Sequence, residues 1–276
     1  MASKPLSNAA DLGFGREMHC RQREDGATAC YVTNYGDTDT PVNAALDDAI
    51  HHHNPVATVA MEYLPGASGN KVRFYVYDGF GERLEEAELD SEGPKAVPGV
   101  CLACHQGSYD EQTHTVRGAR FLPFDLDSFE YTTEAGYSRG DQEESFRKLN
   151  RIVRETNATD AMADLIDGWY RDGGLYGAGT RFDGDYMPAA WTGESTLYQQ
   201  VVKPYCRTCH IAKGASSHLD FVDFEGFEAN AALIQLDVCD TRTMPQAELT
   251  YYDFWQSSAR AHLIGALSLP TSCQTD

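Results

Sequence analysis

Two pentapeptides hold the residues best placed to do chemistry: Cys101-Leu102-Ala103-Cys104-His105 and Cys206-Arg207-Thr208-Cys209-His210. Both read CxxCH. Two thiols on one turn of chain can add to the two vinyl groups of a porphyrin. The adjacent histidine is then placed beneath the ring, where its imidazole binds iron. Cys101, Cys104, Cys206 and Cys209 are therefore candidate thioether sites for two covalently bound haem c groups, with His105 and His210 as proximal iron ligands. Rival uses of paired cysteines fit less well. A thioredoxin-like centre needs one CxxC beside a βαβ unit, and a zinc module does not separate its pairs by about 100 residues.

Four further cysteines remain: Cys20, Cys30, Cys239 and Cys273. Haem c is attached outside the cytoplasm in bacteria, where disulfides persist. Of the three possible pairings, Cys20–Cys30 with Cys239–Cys273 keeps each bond within its own part of the chain. The second bond would tie the loop around Met244 to the last helix. The stretch MASKPLSNAADLG has no apolar core and is not an export signal. The expectation is a periplasmic or extracellular protein whose signal has been removed.

The chain has 276 residues, 42% of them hydrophobic, enough to build one or two packed domains. No apolar run approaches the ~20 residues of a membrane-spanning helix. The formal charge of −20 excludes nucleic acid, which needs a basic face. It favours redox partners with basic docking surfaces, met by long-range steering.

The elements that position the motifs imply an α+β protein. Residues 1–135 read as a mixed α/β haem unit with a small antiparallel sheet. In it, runs 56–63 and 72–77 form a hairpin, and Cys20 and Cys30 bracket a polar loop over 21–29. A loop with Pro94 and Pro98 delivers the first motif. The stretch 120–127 sets large apolar groups beside Asp125 and Asp127 and reads as a loop clamp on the core. Residues 136–192 hold two amphipathic helices, 141–156 and 159–170, then a Gly-rich connector over 172–184. Residues 193–276 read as all-α.

Over about 193–270 the chain resembles class I cytochrome c. A helix-like stretch, 195–202, leads into Cys206, Met244-Pro245 follows His210 by 34 residues, and an amphipathic run covers 251–267 with Phe254, Trp255, Ala259, Leu263 and Leu267. The resemblance implies that His210 is the proximal ligand and Met244 the distal one, and that thioether ligation raises the potential. Met187-Pro188 mimics the pair but precedes its domain, and reads as packing. The order of pieces across most of the chain also resembles a group of uncharacterised bacterial dihaem cytochromes, which brings no known reaction with it.

The sixth position of the first haem has several candidates. Met61 shares a strand face with Val59 and Tyr63, His114 is its rival, the triplet His51-His52-His53 reads as solvated, and an empty position stays open. Two functions follow. If both irons are six-coordinate, the protein carries electrons between redox partners and has no catalytic residues. If the first iron is open, it is a dihaem oxidoreductase of peroxidase or oxidase type. A haem-based sensor or a structural subunit is a third class.

Overall fold

The computed structural model describes residues 5–7, 14–36, 40–66, 70–88, 93–171, 173–214, 219–241, 247–270 and 273. Its N-terminal part is an antiparallel sheet of β1 (Pro5–Ser7), β2 (Gly15–Gln22), β3 (Thr28–Tyr35), β4 (Pro55–Leu64), β5 (Lys71–Asp78) and β6 (Arg83–Leu84). After the separate pair β7 (Glu86–Ala87) and β8 (Lys95–Ala96), the strands β9 (Ser108–Asp110) and β10 (Thr115–Arg117) complete it. The order is β1-β2-β3-β4-β5-β10-β9, with β6 on β5.

Period-two alternation drives this sheet. Its buried face carries cross-strand rows: Cys20, Cys30, Met61 and Phe74 in one, and Thr28, Tyr63, Val72 and Val116 in the next. The outer face is polar, with Arg73 paired to Glu62 at 3.1 Å and Thr33 bonded to Thr58 at 3.1 Å. The sheet is larger than the expected small one. Cys20 and Cys30 do not bracket a loop over 21–29: they sit directly opposite each other on β2 and β3, and the turn between the strands is confined to 23–27. The helix α1 (Val42–His51) packs on the β1–β3 end of the sheet. It comes so close that a Cβ on Gly15 would lie 1.9 Å from the Ala45 carbonyl oxygen.

The first CxxCH forms α2 (Gly99–His105). Next come α3 (Arg139–Arg154) and α4 (Asp160–Trp169), each started by a side-chain cap, Ser138 for Asp141 N–H and Thr159 for Met162 N–H. Their apolar stripes, Phe146, Leu149 and Val153 on α3 and Met162, Leu165 and Ile166 on α4, join the sheet's buried face in one core. The helical pair is thus continuous with the N-terminal unit.

The C-terminal region is helical. α5 (Ser195–Leu197) runs through wide π-type turns, Tyr198–Cys206, into α6 (Arg207–His210). Pro204 lies inside those turns and has no N–H to give, and Arg207 N–H reaches five residues back to Val202. Then come α7 (Phe224–Ala229), α8 (Ala231–Ile234), α9 (Glu248–Gln256) and α10 (Ala259–Leu267). A second core gathers Trp191, Leu197, Val201, Phe221, Phe254 and Leu263. The run 251–267 is two helices rather than one, because Ser257 is extended (ψ 171°). Its hydroxyl donates to the Phe254 carbonyl at 2.9 Å and accepts from Ala259 N–H at 3.1 Å.

Asn150 on α3 is fully buried and grips the 120–127 stretch. Its Oδ1 accepts from Phe124 N–H at 2.8 Å and its Nδ2 donates to the Phe124 carbonyl at 2.9 Å. Asn150→Ala removes both partners and leaves two backbone groups unpaired, each worth ~1–3 kcal/mol. We expect a loss of about 3 kcal/mol, read as a lower urea midpoint at unchanged m-value.

Candidate functional site

The two CxxCH motifs are built alike. In each, one helical turn carries both thiols, and a backbone carbonyl from a later segment fixes the histidine. At the first motif the chain leaves α2 through Gln106 (φ 60°) and Gly107 (φ 99°). A Cβ on Gly107 would lie 2.6 Å from Ala119 N and from the Arg117 oxygen, so only glycine lets the β9–β10 hairpin fold back this tightly. The fold-back places Arg120 beside His105: Arg120 N–H donates to the His105 carbonyl at 2.9 Å, and His105 Nδ1 lies 2.7 Å from the Arg120 carbonyl oxygen. Phe74 packs on the imidazole, with ring centroids 5.4 Å apart.

At the second motif His210 Nδ1 lies 2.8 Å from the Leu219 carbonyl oxygen, and its ring stacks on Phe221 at 4.6 Å and 16°. A carbonyl only accepts, so Nδ1 carries the proton in both histidines and Nε2 keeps its lone pair. Burial lowers the pKa of each, that of His210 to about 4, so both imidazoles are neutral at pH 7. A neutral imidazole with one nitrogen held by an acceptor and the other free is the form that binds a metal.

The thiols divide into two classes. Cys20 and Cys30 are bonded (S–S 1.98 Å), as are Cys239 and Cys273 (1.95 Å), while Cys101, Cys104, Cys206 and Cys209 are in no disulfide. Burial pushes the Cys101 and Cys206 thiols up to about 12, so they stay protonated in the unmodified chain. Among the described residues, no three His, Cys, Asp or Glu side chains gather as a cage for a bare ion.

Beside the second motif lies an apolar cavity of about 300 Å³. Cys206 and His210 line it, with Phe227, Ile234, Phe254 and Leu263 as its greasy walls. The imidazole, the Cys206 thiol and this surface fit a macrocycle that is apolar over its faces, with Cys209 on the same helical turn as the second thiol. Val238 and Ala247 both line the cavity. Met244 and Pro245, between them in sequence, lie outside the described residues.

The other sequence candidates fall in different places. Met61 is buried in the sheet core, one strand beyond Phe74 in the row that reaches His105. His114 stands exposed between β9 and β10, with Nδ1 2.9 Å from the Tyr109 hydroxyl. His51 ends α1, and His52 bonds to Glu17 at 2.9 Å. Met187 packs against the second core.

Residue types alone did not reveal the junction between the motifs. The stretch 120–128 clamps the second motif as well as the core. Asp125 pairs with Arg207, the first variable residue of CRTCH, and both are 3% exposed. Burial works against the guanidinium charge, but Asp125 and Tyr198 outweigh it and raise the Arg207 pKa. Ser128 Oγ meets Thr208 Oγ1 at 3.2 Å, and Lys203 reaches Asp127 at 2.7 Å. Ile211 and Ala212 enter the core of the first unit.

No protein-family model matches the chain, and comparison with curated proteins and with solved structures gives no match.

Proposed function

We propose that the chain is a dihaem c-type cytochrome that passes electrons between redox partners outside the cytoplasm. The observation that carries this reading is the repeated histidine setting. In two unrelated structural contexts, the histidine of a CxxCH whose cysteines are in no disulfide turns Nδ1 to a backbone carbonyl and leaves Nε2 open. Cys101 and Cys104 would hold one haem and Cys206 and Cys209 the other, with His105 and His210 beneath the irons. The bound haems supply reversible one-electron chemistry. The chain's own part is to hold the imidazoles in one tautomer and keep water from the second group with the walls of the apolar cavity. Met244 would be the distal ligand of the second haem.

The two disulfides support an oxidising compartment. The charge of −20 supports brief encounters with basic partners. Among the described residues, no helix is long and apolar enough to cross a membrane.

Mass spectrometry and optical spectra of the exported protein test the proposal. The expected result is a mass increased by two haems, two low-spin signals and no response to carbon monoxide. A colourless protein with the mass of the bare polypeptide ends the reading, and rapid carbon monoxide binding at one haem moves it to the oxidoreductase class. Met61→Leu, which conserves volume, decides the sixth position of the first haem: a lost low-spin signal makes Met61 the ligand, and an unchanged spectrum makes it a core residue.

A further inference from the structure

We infer that the buried Asp125–Arg207 pair locks the second CxxCH helix onto the first unit and sets the potential of the second haem, so that the two haems act as one coupled pair. This inference rests on the two-haem reading. Three observations carry it.

First, the attachment helices are neighbours: α2 and α6 contain Cα pairs within 8 Å of one another. Groups rooted on helices this close share one electrostatic environment.

Second, the junction is fastened from several directions. Arg207 Nη2 donates to Asp125 Oδ2, while Asp125 Oδ1 accepts from Asp127 N–H at 3.1 Å. Arg207 Nη1 donates to the Tyr198 hydroxyl at 3.0 Å, and the guanidinium lies 5.4 Å from the Trp169 ring centroid and 5.7 Å from that of Tyr198. Arg120 donates to the Ala212 carbonyl at 3.4 Å, and Thr159 to the Ile211 carbonyl at 3.4 Å. These bonds join the N-terminal unit to the segment running from Cys206 past His210.

Third, the pair is an expensive way to obtain cohesion. Desolvating two charges offsets most of their attraction, and well-packed apolar residues would hold the junction as firmly. What apolar residues cannot supply is a fixed charge arrangement at low dielectric, three residues from His210. Remove the carboxylate, and the guanidinium stands uncompensated in the same helical turn as His210. A positive charge there favours the reduced, less positive haem and raises its potential. Loosened packing acts in the opposite direction, because water entering the site stabilises the oxidised haem. The sign of the change therefore separates an electrostatic role from a merely structural one.

The test uses the exported holoprotein and Asp125→Asn, which keeps the volume and the Oδ1 that caps Asp127. Mass spectrometry first confirms two haems in both proteins. A missing haem in the wild type removes the two-haem reading together with this inference, whereas two haems with a potential that is unchanged or lowered in the variant remove the inference alone. The wild type is expected to show a split Soret circular dichroism signal from two adjacent haems, a measurement that needs no variant. Redox titration of Asp125→Asn is expected to show the second haem's reduction equilibrium raised at least tenfold, ~59 mV for one electron. An unsplit Soret signal in the wild type, or an unchanged or lowered potential in the variant, overturns the inference.

Discussion

Cys206→Ala/Cys209→Ala is expected to abolish the cooperative fold of the C-terminal helices while the sheet unit survives. The second core is arranged around a cavity of about 300 Å³, walled by Phe227, Ile234, Phe254 and Leu263. An enclosed void of that size costs ~7 kcal/mol at ~24 cal/mol per Å³. Because this one opens to solvent on one side, the figure is an upper bound. It is still comparable with the whole stability of an ordinary domain, ~5–15 kcal/mol. In the proposed holoprotein the haem occupies that space, and its binding energy is folding energy. Without the thioethers, helices α7 to α10 keep the contacts of the second core but close around an unfilled space. Calorimetry should show one transition lost, and hydrogen exchange should show protection gone over 191–266 and kept over 15–35 and 55–78. Equal protection in the two regions would mean that the helices close without the cofactor, and the cavity would then not be a haem site. The Cys239–Cys273 bond limits how far the chain can unravel, so the expected product is a collapsed, loosely packed region rather than a random coil.

How much of this was legible in the sequence depended on whether the signal was local. The runs 56–63 and 72–77 alternate cleanly, and β4 and β5 form where they predict. Strands β2 and β3 alternate too, as Met18 and Cys20 against Cys30 and Val32, but the polar residues between them read as loop, so the cysteines appeared to bracket it. Helix α3 was legible from its apolar stripe, and α4 from a stripe that agrees with its cap at Thr159. The break at Ser257 was not, because a serine that serves both flanking helices looks like any exposed serine within an amphipathic run. The CxxCH motifs were legible because fixed residue types at fixed spacing within five positions are a purely local signal. Their orienting partners were not, because the carbonyls of Arg120 and Leu219 belong to the backbone and carry no residue identity. The Asp125–Arg207 pair spans 82 positions, and nothing local to either residue announces the other.

Met244→Ala is expected to remove the far-red methionine-to-iron band of the second haem and to lower its potential. Thioether sulfur stabilises the reduced iron relative to harder donors, so its loss should cost at least ~59 mV, a tenfold change in the one-electron equilibrium. The argument starts from the ends of the segment, Val238 and Ala247, which both line the cavity that holds His210. The eight residues between them in sequence include one methionine, Met244. Cys239, at the start of the span, is tied to Cys273, which anchors that end to the chain beyond α10. The control is Met187→Ala. Met187 also precedes a proline but packs against the second core from before the motif, so its loss should leave the band and the potential in place. If the band survives Met244→Ala, the sixth ligand lies elsewhere and the likeness to class I cytochrome c ends at the proximal side. If it vanishes in both variants, the band reports general disturbance of the pocket, and neither methionine can be assigned from it.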